Sequence, residues 1–283
     1  MRIDAHQHFW DVSRGDYGWL TPDMPIHRDF GPADLRPLLD EAGIAGTVLV
    51  QAAPTEAETD YLLEIATGEP TVLGVVGWTA FEAPGASERV AALAARPRLV
   101  GLRPMVHDIE DDTWLNRRDI DEAFEAMERH GLVFDALTRP RHLGPLLKRL
   151  GRHAELRSVI DHASKPRIGA GDIEGWRHDM RVLARETDAF VKMSGLVTEA
   201  GEDWSVEALR PVVDHLIDCF GPERMVWGSD WPVLTLACPY EAWWEETTEL
   251  LRDLHDDERE AVLGGNAARL YQLDVGALRA AAE

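Results

Sequence analysis

The apolar residues of this chain fall into short runs that recur along its length, each followed by polar loop residues and then by a stretch with helical spacing. The runs are Arg2–Ala5, Thr47–Ala52, Val72–Trp78, Leu99–Arg103, Leu132–Leu137, Arg157–Asp161, Phe190–Ser194 and Met225–Ser229. Most are continuous rather than alternating, which is the pattern of parallel strands covered on both faces. Between them, helices are predicted over Asp121–His130, over Leu143–Arg152, and over SVEALRPVVDHLIDCFG, with Ser205 as N-cap and Gly221 closing the last of these. Gly265–Tyr271 and the tail after it are expected to form the final helix. Unbroken strand–helix alternation predicts an α/β fold, one (β/α)8 TIM barrel over residues 1–283, rather than two open sheets.

Two connections exceed an ordinary barrel loop. One runs from Phe9 to Phe30, rich in Asp, Pro and Trp, and the other from His107 to Arg118. Both follow strand C-termini, the face on which barrels of this kind carry their chemistry.

Composition narrows the partners. Acidic residues number 51 against 29 basic ones, a formal net charge of -22. A field of that sign repels phosphate backbones and anionic lipid, so a small-molecule partner is expected, not nucleic acid or membrane. A monomer or homodimer is expected. Cys219 and Cys238 cannot build a disulfide framework. The opening MRIDAHQHFW does not read as a secretory signal, and no run of about eighteen apolar residues offers a membrane span. A cytoplasmic protein is therefore expected. Of the 29 Lys and Arg, only Lys148, Lys165 and Lys192 are lysines.

The candidate chemistry sits at strand ends. The first strand closes on Asp4-Ala5-His6-Gln7-His8, where side chains two apart face one region together. Two imidazoles so placed can bind a divalent metal or position a carbonyl, although such pairs also occur in loops without a role. The sixth ends Val159-Ile160-Asp161-His162, followed by Ala163-Ser164-Lys165-Pro166. A charged cluster after an apolar strand belongs at the rim or in the mouth, unless Asp161 only caps the next segment. The eighth ends Gly228-Ser229-Asp230-Trp231-Pro232, where Asp230 is either a functional carboxylate or a turn residue. In a closed barrel these three ends converge on one mouth.

Lys192 and Ser194, two apart at the end of the seventh strand, point the same way. Because lysine is avoided elsewhere, Lys192 and Lys165 are candidate substrate contacts together with Ser194, the alternative being a lysine that only reaches for water. Trp10, Trp19, Trp78 and Trp231 lie at or after strand ends. Trp78 and Trp231 are candidates for stacking on a sugar-like ring, while packing of the loops is the alternative for any single one.

The segments IDAHQHFW, VIDHASKP and WGSDWPV resemble the amidohydrolase superfamily. The likeness is to its amidohydrolase-2 branch of barrel hydrolases, which includes sugar-lactone hydrolases. Gly265-Asn266-Ala267-Ala268-Arg269-Leu270 resembles that branch's C-terminal G-N-x-x-R-L signature, so the resemblance spans nearly the whole chain. It implies a hydrolase that opens the ring of a sugar aldonolactone or related lactone. It further implies His6 and His8 as the paired histidines of the first strand, His162 as the later-strand histidine and Asp230 as general base. Arg103 matches an arginine that contacts the substrate carbonyl or carboxylate. His6, His8, His162 and Asp230 would be the ligands of a metal. Two-metal members carry a bridging lysine or glutamate on the fourth strand and a histidine on the fifth. Here Arg103 and Phe134-Asp135-Ala136-Leu137 stand at those places. The expectation is no metal or one divalent cation, zinc first, and not two. The alternatives are a metal-dependent decarboxylase of the same branch and a non-catalytic sugar-binding barrel.

Overall fold

The computed structural model describes residues 1–201 and 204–276. Eight strands form one sheet in sequence order: β1 (Ile3–Gln7), β2 (Gly46–Val50), β3 (Val72–Gly77), β4 (Leu99–Leu102), β5 (Val133–Ala136), β6 (Ser158–Ile160), β7 (Phe190–Met193) and β8 (Met225–Trp227). Neighbouring strands pair in parallel throughout. The ring closes just beyond β8, where Asp230 N–H donates to the His6 carbonyl at 2.8 Å and His8 N–H to the Trp231 carbonyl at 2.7 Å. The fold is a (β/α)8 barrel.

Seven of the apolar runs outlast their strands at the C-terminal end, and the excess residues turn out of the ladder to form the mouth. Ser229 and Asp161 are of this kind, as is Arg103. The helices Asp121–His130 and Leu143–Arg152 have the expected bounds. The helix Val206–Phe220 begins where the Ser205 hydroxyl accepts from Ala208 N–H at 3.3 Å and stops at Gly221. The helix expected over Gly265–Tyr271 covers Asn266–Leu270, and the part of the expected tail at 277–283 lies outside the described residues.

Ile3, Ala5, Val48, Val50, Val76, Val133, Val159 and Val226 pack into one cluster, completed by Leu270, Tyr271 and Leu273. These residues come from strands on opposite sides of the ring, which meet only across its interior. Branched side chains fill that space, as parallel barrels require. Asp135 and Asp161 follow Val133 and Val159 by two residues and so continue the same inward-facing sets. A larger cluster between strands and helices, containing Leu49, Leu102, Phe134, Ile160 and Val191, forms the outer layer. Among the described residues, no helix is long and apolar enough to cross a membrane. Cys238 is buried, Cys219 half-buried, and both are free thiols.

Candidate active site

The site begins where β8 meets β1. A Cβ at Gly228 would stand 2.7 Å from His6 Cβ, so only glycine permits this approach. Beneath it, Asp4 Oδ1 accepts the N–H groups of His6 at 3.1 Å and Ser229 at 2.9 Å, and Tyr240 donates to Oδ2 at 3.1 Å. One carboxyl thus ties both strands together. Burial outweighs these donors and pushes the Asp4 carboxyl up to about 6.

Backbone strain gathers at the mouth. Of the seven non-glycine residues with positive φ among those described, five are Asp230 and His162–Lys165. Each such conformation costs on the order of 1–3 kcal/mol and persists only where its surroundings hold it. At Asp230 the holding contacts are its own bond to His6 and the Leu234 N–H, which donates to the Asp230 carbonyl at 2.9 Å. In the His162–Lys165 turn, Trp176 Nε1 donates to the Ala163 carbonyl at 2.7 Å and the hydroxyls of Thr138 and Ser164 share a bond of 2.9 Å. Gly195 gives this turn its room, because a Cβ there would lie 2.6 Å from His162 Nδ1.

These turns bring four side chains together. Asp230 Oδ1 lies 3.2 Å from His8 Nε2, 3.6 Å from His6 Nε2 and 3.8 Å from His162 Nε2. His6 Nε2 and His8 Nε2 are 3.2 Å apart. His8 Nδ1 bonds the Val50 carbonyl at 2.7 Å, which commits the ring proton there and leaves a lone pair on Nε2. That lone pair and the Asp230 carboxylate face each other, and two acceptors this close need a proton or a cation between them. Ligand atoms on a tetrahedral ion with bonds of roughly 2.0–2.1 Å stand about 3.3 Å apart, close to the spacings seen here. His6, His8 and Asp230 are therefore able to hold a metal ion, with His162 Nε2 at 3.8 Å from the same carboxylate oxygen. Another grouping, His6, Asp161 and His162, reuses two of the same rings. Both Asp161 oxygens already face cations, Lys192 Nζ at 3.0 Å and Arg103 Nη1 at 3.3 Å.

A buried ion cluster supports the histidines from below. Lys192 Nζ lies 2.5 Å from Asp135 Oδ2, 3.0 Å from Asp161 Oδ1 and 3.1 Å from His6 Nδ1. Tyr271 O–H donates to Asp135 Oδ2 at 2.7 Å. Ser194 Oγ lies 2.9 Å from His162 Nδ1. Lys192 and Ser194, singled out above as substrate contacts, are both fully buried and stand behind His6 and His162 rather than in the cavity. Asp135 was overlooked as a partner. Its signal was present, since a carboxylate inside the apolar run Leu132–Leu137 demands a buried counter-charge.

Electrostatics follow from this layering. Burial pushes His6 and His162 well below the ordinary histidine value, with the Lys192 charge adding to the effect at His6. Burial alone would raise Asp161, but Lys192, His6 and Arg103 outweigh it and hold the carboxyl well below the usual range. Burial likewise opposes ionisation of Asp230, and the facing His162 and His8 rings overcome it and bring the carboxyl to about 2. Asp135, with Lys192 offsetting only part of its burial, is raised.

Arg103 is locked from both ends. Its Nη2 donates to the backbone carbonyl of Gln51 and, at 3.2 Å, to Gln51 Oε1, while Gln51 Nε2 donates back to the Arg103 carbonyl at 2.9 Å. Its Nη1 also lies 3.2 Å from His6 Nε2, and its buried Nε–H has no acceptor among the described residues.

Above these groups opens a cavity of about 260 Å³. His8, Arg103, His162, Lys165 and Asp230 form its polar wall, and Trp19, Met24, Met105, Leu137, Val233 and Leu236 the apolar one. His6 is fully buried beneath the floor. Lys165 is paired with Glu199 at 3.0 Å. His107 and Asp108, 2.9 Å apart, also line the cavity. They open the long loop after β4, which the sequence marked as a whole without pointing to its histidine. Trp78 lines an adjoining chamber rather than this cavity. The buried Trp231 ring packs edge-on against Phe30 at 5.2 Å and Phe9 at 6.2 Å, in the core.

Residues 3–273 match the family model for amidohydrolases. The chain belongs to the amidohydrolase family. An L-fucono-1,5-lactonase of Burkholderia ambifaria is 43% identical to this amidohydrolase over 281 residues, covering 97% of this chain and 96% of that one. An L-fucono-1,5-lactonase of Burkholderia multivorans is 34% identical over 297 residues, with 96% of each chain covered. A crystal structure of an amidohydrolase from Burkholderia multivorans with bound zinc matches with a TM-score of 0.91 at 34% identity, over 96% of this chain and 99% of that one. In this amidohydrolase β4 is followed by Arg103 and β5 carries Asp135, both engaged in the ion network beneath the histidines.

Proposed function

We propose that this amidohydrolase is a lactonase that adds water across the ring ester of a sugar aldonolactone, with L-fucono-1,5-lactone as the first compound to try. One observation carries the reading: an ionised Asp230 faces three imidazoles at the wall of a cavity sized for a small ring, in a chain whose full-length relatives are lactonases. The decarboxylase alternative is not favoured by those relatives. A sugar-binding barrel would leave the strained, ionised Asp230 without a task.

Asp230 takes a proton from water as the water oxygen adds to the lactone carbonyl carbon. Charge then develops on the carbonyl oxygen, and Arg103, whose side chain lines the cavity, supplies a hydrogen bond to it. His8 and His162 flank the attacking water, and His6 holds His8 in register. When the intermediate collapses, the bond to the ring oxygen breaks and Asp230 returns its proton to that oxygen. The product is a hydroxy acid that ionises at neutral pH. A single divalent ion, zinc first, would be held by His6, His8, His162 and Asp230 and would polarise the carbonyl or the water as a Lewis acid. The donor spacings support one ion. The two cations on Asp161 argue against a second.

Lys165 contacts substrate hydroxyls at the rim, and His107 does so from the loop after β4. Lys192 and Ser194 act as positioning residues through His6 and His162. Trp78 lines the adjoining chamber, whereas Trp231 secures the mouth by packing. With a net charge of -22, the protein acts on a small neutral molecule rather than nucleic acid, as a monomer or homodimer in the cytoplasm.

The test is a pH-indicator screen of aldonolactones and other lactones, with and without chelator. Catalysed opening of at least one aldonolactone above background is expected. Absence of turnover across the panel, in folded protein with and without added zinc, would overturn the reading.

A further inference from the structure

Beside the lactone cavity lies a larger chamber of about 470 Å³. Trp19, Met105 and Asp108 line both spaces, so the two adjoin. The cavity by itself, at about 260 Å³, is smaller than the roughly 300–1,000 Å³ usual for small-molecule sites, and the chamber more than doubles the room.

The chemistry of the chamber is uniform. Trp19, Trp78, Phe81 and Trp114 give it aromatic walls, and no lysine or arginine is among the residues that line it. Its carboxylates are Asp16, Glu82 and Asp108. All three are already engaged. Asp16 accepts from Arg14 at 2.8 Å and from Thr55 at 2.9 Å, Glu82 from Trp114 Nε1 at 2.5 Å and from Arg117 at 2.9 Å, and Asp108 faces His107 at 2.9 Å. Carboxylates held this way have remaining lone pairs for hydroxyl groups but repel an anion. Half-buried tryptophans such as Trp19 and Trp78 offer flat faces to the C–H surface of a saturated ring. Aromatic faces together with fixed carboxylate acceptors and no cation describe a site for an uncharged, hydroxyl-rich ring.

We infer that this chamber is a second subsite, which takes a neutral sugar ring joined to the lactone, so that the enzyme opens two-ring aldonolactones as well as single-ring ones. The inference rests on the lactonase reading above. The lactone ring occupies the cavity at Asp230, and its glycosyl substituent passes Trp19 and Met105 into the chamber. Both rings are neutral before reaction, and the new carboxylate forms at Asp230, away from the acidic chamber.

Gly18 supplies the means of testing this. It lines the chamber, its backbone φ lies outside the left-handed range, and a Cβ built there meets no heavy atom within 4 Å. A large side chain at this position has open space around its Cβ and stands at the chamber wall, away from the catalytic groups. The experiment measures kcat/KM for one single-ring aldonolactone and for a set of two-ring lactones of different linkage, above their uncatalysed opening, in the unaltered enzyme and in Gly18→Trp. At least one two-ring lactone should be opened with kcat/KM no lower than that of the single-ring compound. Gly18→Trp should lower that value by roughly tenfold or more while changing the single-ring value by less than about twofold. Trp78→Ala should raise KM for the same two-ring substrate. Turnover of the single-ring compound with none of the two-ring set overturns the subsite, and so does an equal loss on both substrates in Gly18→Trp. Failure to open any lactone would instead remove the lactonase reading itself.

Discussion

Asp230 donates its backbone N–H to the His6 carbonyl at 2.8 Å, and its side-chain Oδ1 lies 3.6 Å from His6 Nε2. The bond that closes the barrel therefore also sets the carboxylate against the histidines. Asp230→Asn keeps the backbone bond and the shape while removing the proton acceptor. kcat should fall by roughly 10²–10⁴ with KM little changed. Steady-state kinetics on a protein with unchanged circular dichroism checks this. Near-full activity would withdraw the general-base role.

Arg103 serves Gln51 through two bonds and Asp161 through a third, a geometry that needs the planar fork of guanidinium. Arg103→Lys cannot satisfy all three and also reach a carbonyl oxygen. Its kcat/KM should drop by about 10²–10³, with kcat and KM both affected. A change confined to KM would show that Arg103 only binds.

Lys192 is the sole lysine within 4 Å of Asp135 and Asp161 among the described residues, and all three are fully buried. Lys192→Met leaves two buried carboxyls without their ammonium and should destabilise the protein by about 3–5 kcal/mol. Urea denaturation reads this directly. Adding Asp135→Asn should restore part of the loss, because one of the stranded charges is then gone. Unchanged stability in the single variant would mean the cluster does not hold the site.

The pH profile follows from the burial of the site. Asp230 is brought down to about 2 from an ordinary value of 3.8, so the fold favours its ionised form. That stabilisation is present above the ordinary value and is lost only as pH falls towards 2. His6 and His162 are pushed down and stay neutral through the physiological range. kcat/KM, corrected for spontaneous opening, should therefore be flat between about pH 5 and pH 8. A limb with a midpoint between about 6 and 7 would show that a buried group such as a histidine or the Asp4 carboxyl controls the rate, against this account.

Elemental analysis of protein purified without chelator should find at most one equivalent of divalent metal. Two equivalents of zinc would overturn the assignment of Arg103 and Asp161 as an ion pair, since a second ion would need the Asp161 carboxylate.

Much of the site was legible because its residues announce themselves locally. His6, His8, His162 and Asp230 each follow an apolar run, and a polar group there has to leave the core. Lys192 was legible as unusual but not as to its task. Its spacing from Ser194 says that both share a side, and only the closed ring reveals that Asp135 and Asp161 lie on that side too. Trp231 misled for a similar reason. Its position after Asp230 suggests the mouth, yet the left-handed turn at Asp230 sends the ring into the layer of Phe9 and Phe30. The same holds for His107, whose place in a long polar loop carries no periodic signal, although the loop folds back over the cavity.

Local patterning was enough to reveal the barrel, the bounds of the helices Asp121–His130 and Leu143–Arg152, and the strand ends that carry chemistry. Those properties depend on hydrophobic periodicity, caps and breakers, which act over a few residues. Tertiary structure alone decided which polar groups meet the cavity and which support them from behind, and that a second chamber adjoins the first. Those outcomes depend on contacts such as Lys192 to His6, 186 residues apart in sequence, and on the left-handed turns at His162–Lys165 and Asp230. A non-glycine residue adopts such a turn only when the packed surroundings compensate its strain, and no local pattern records those surroundings.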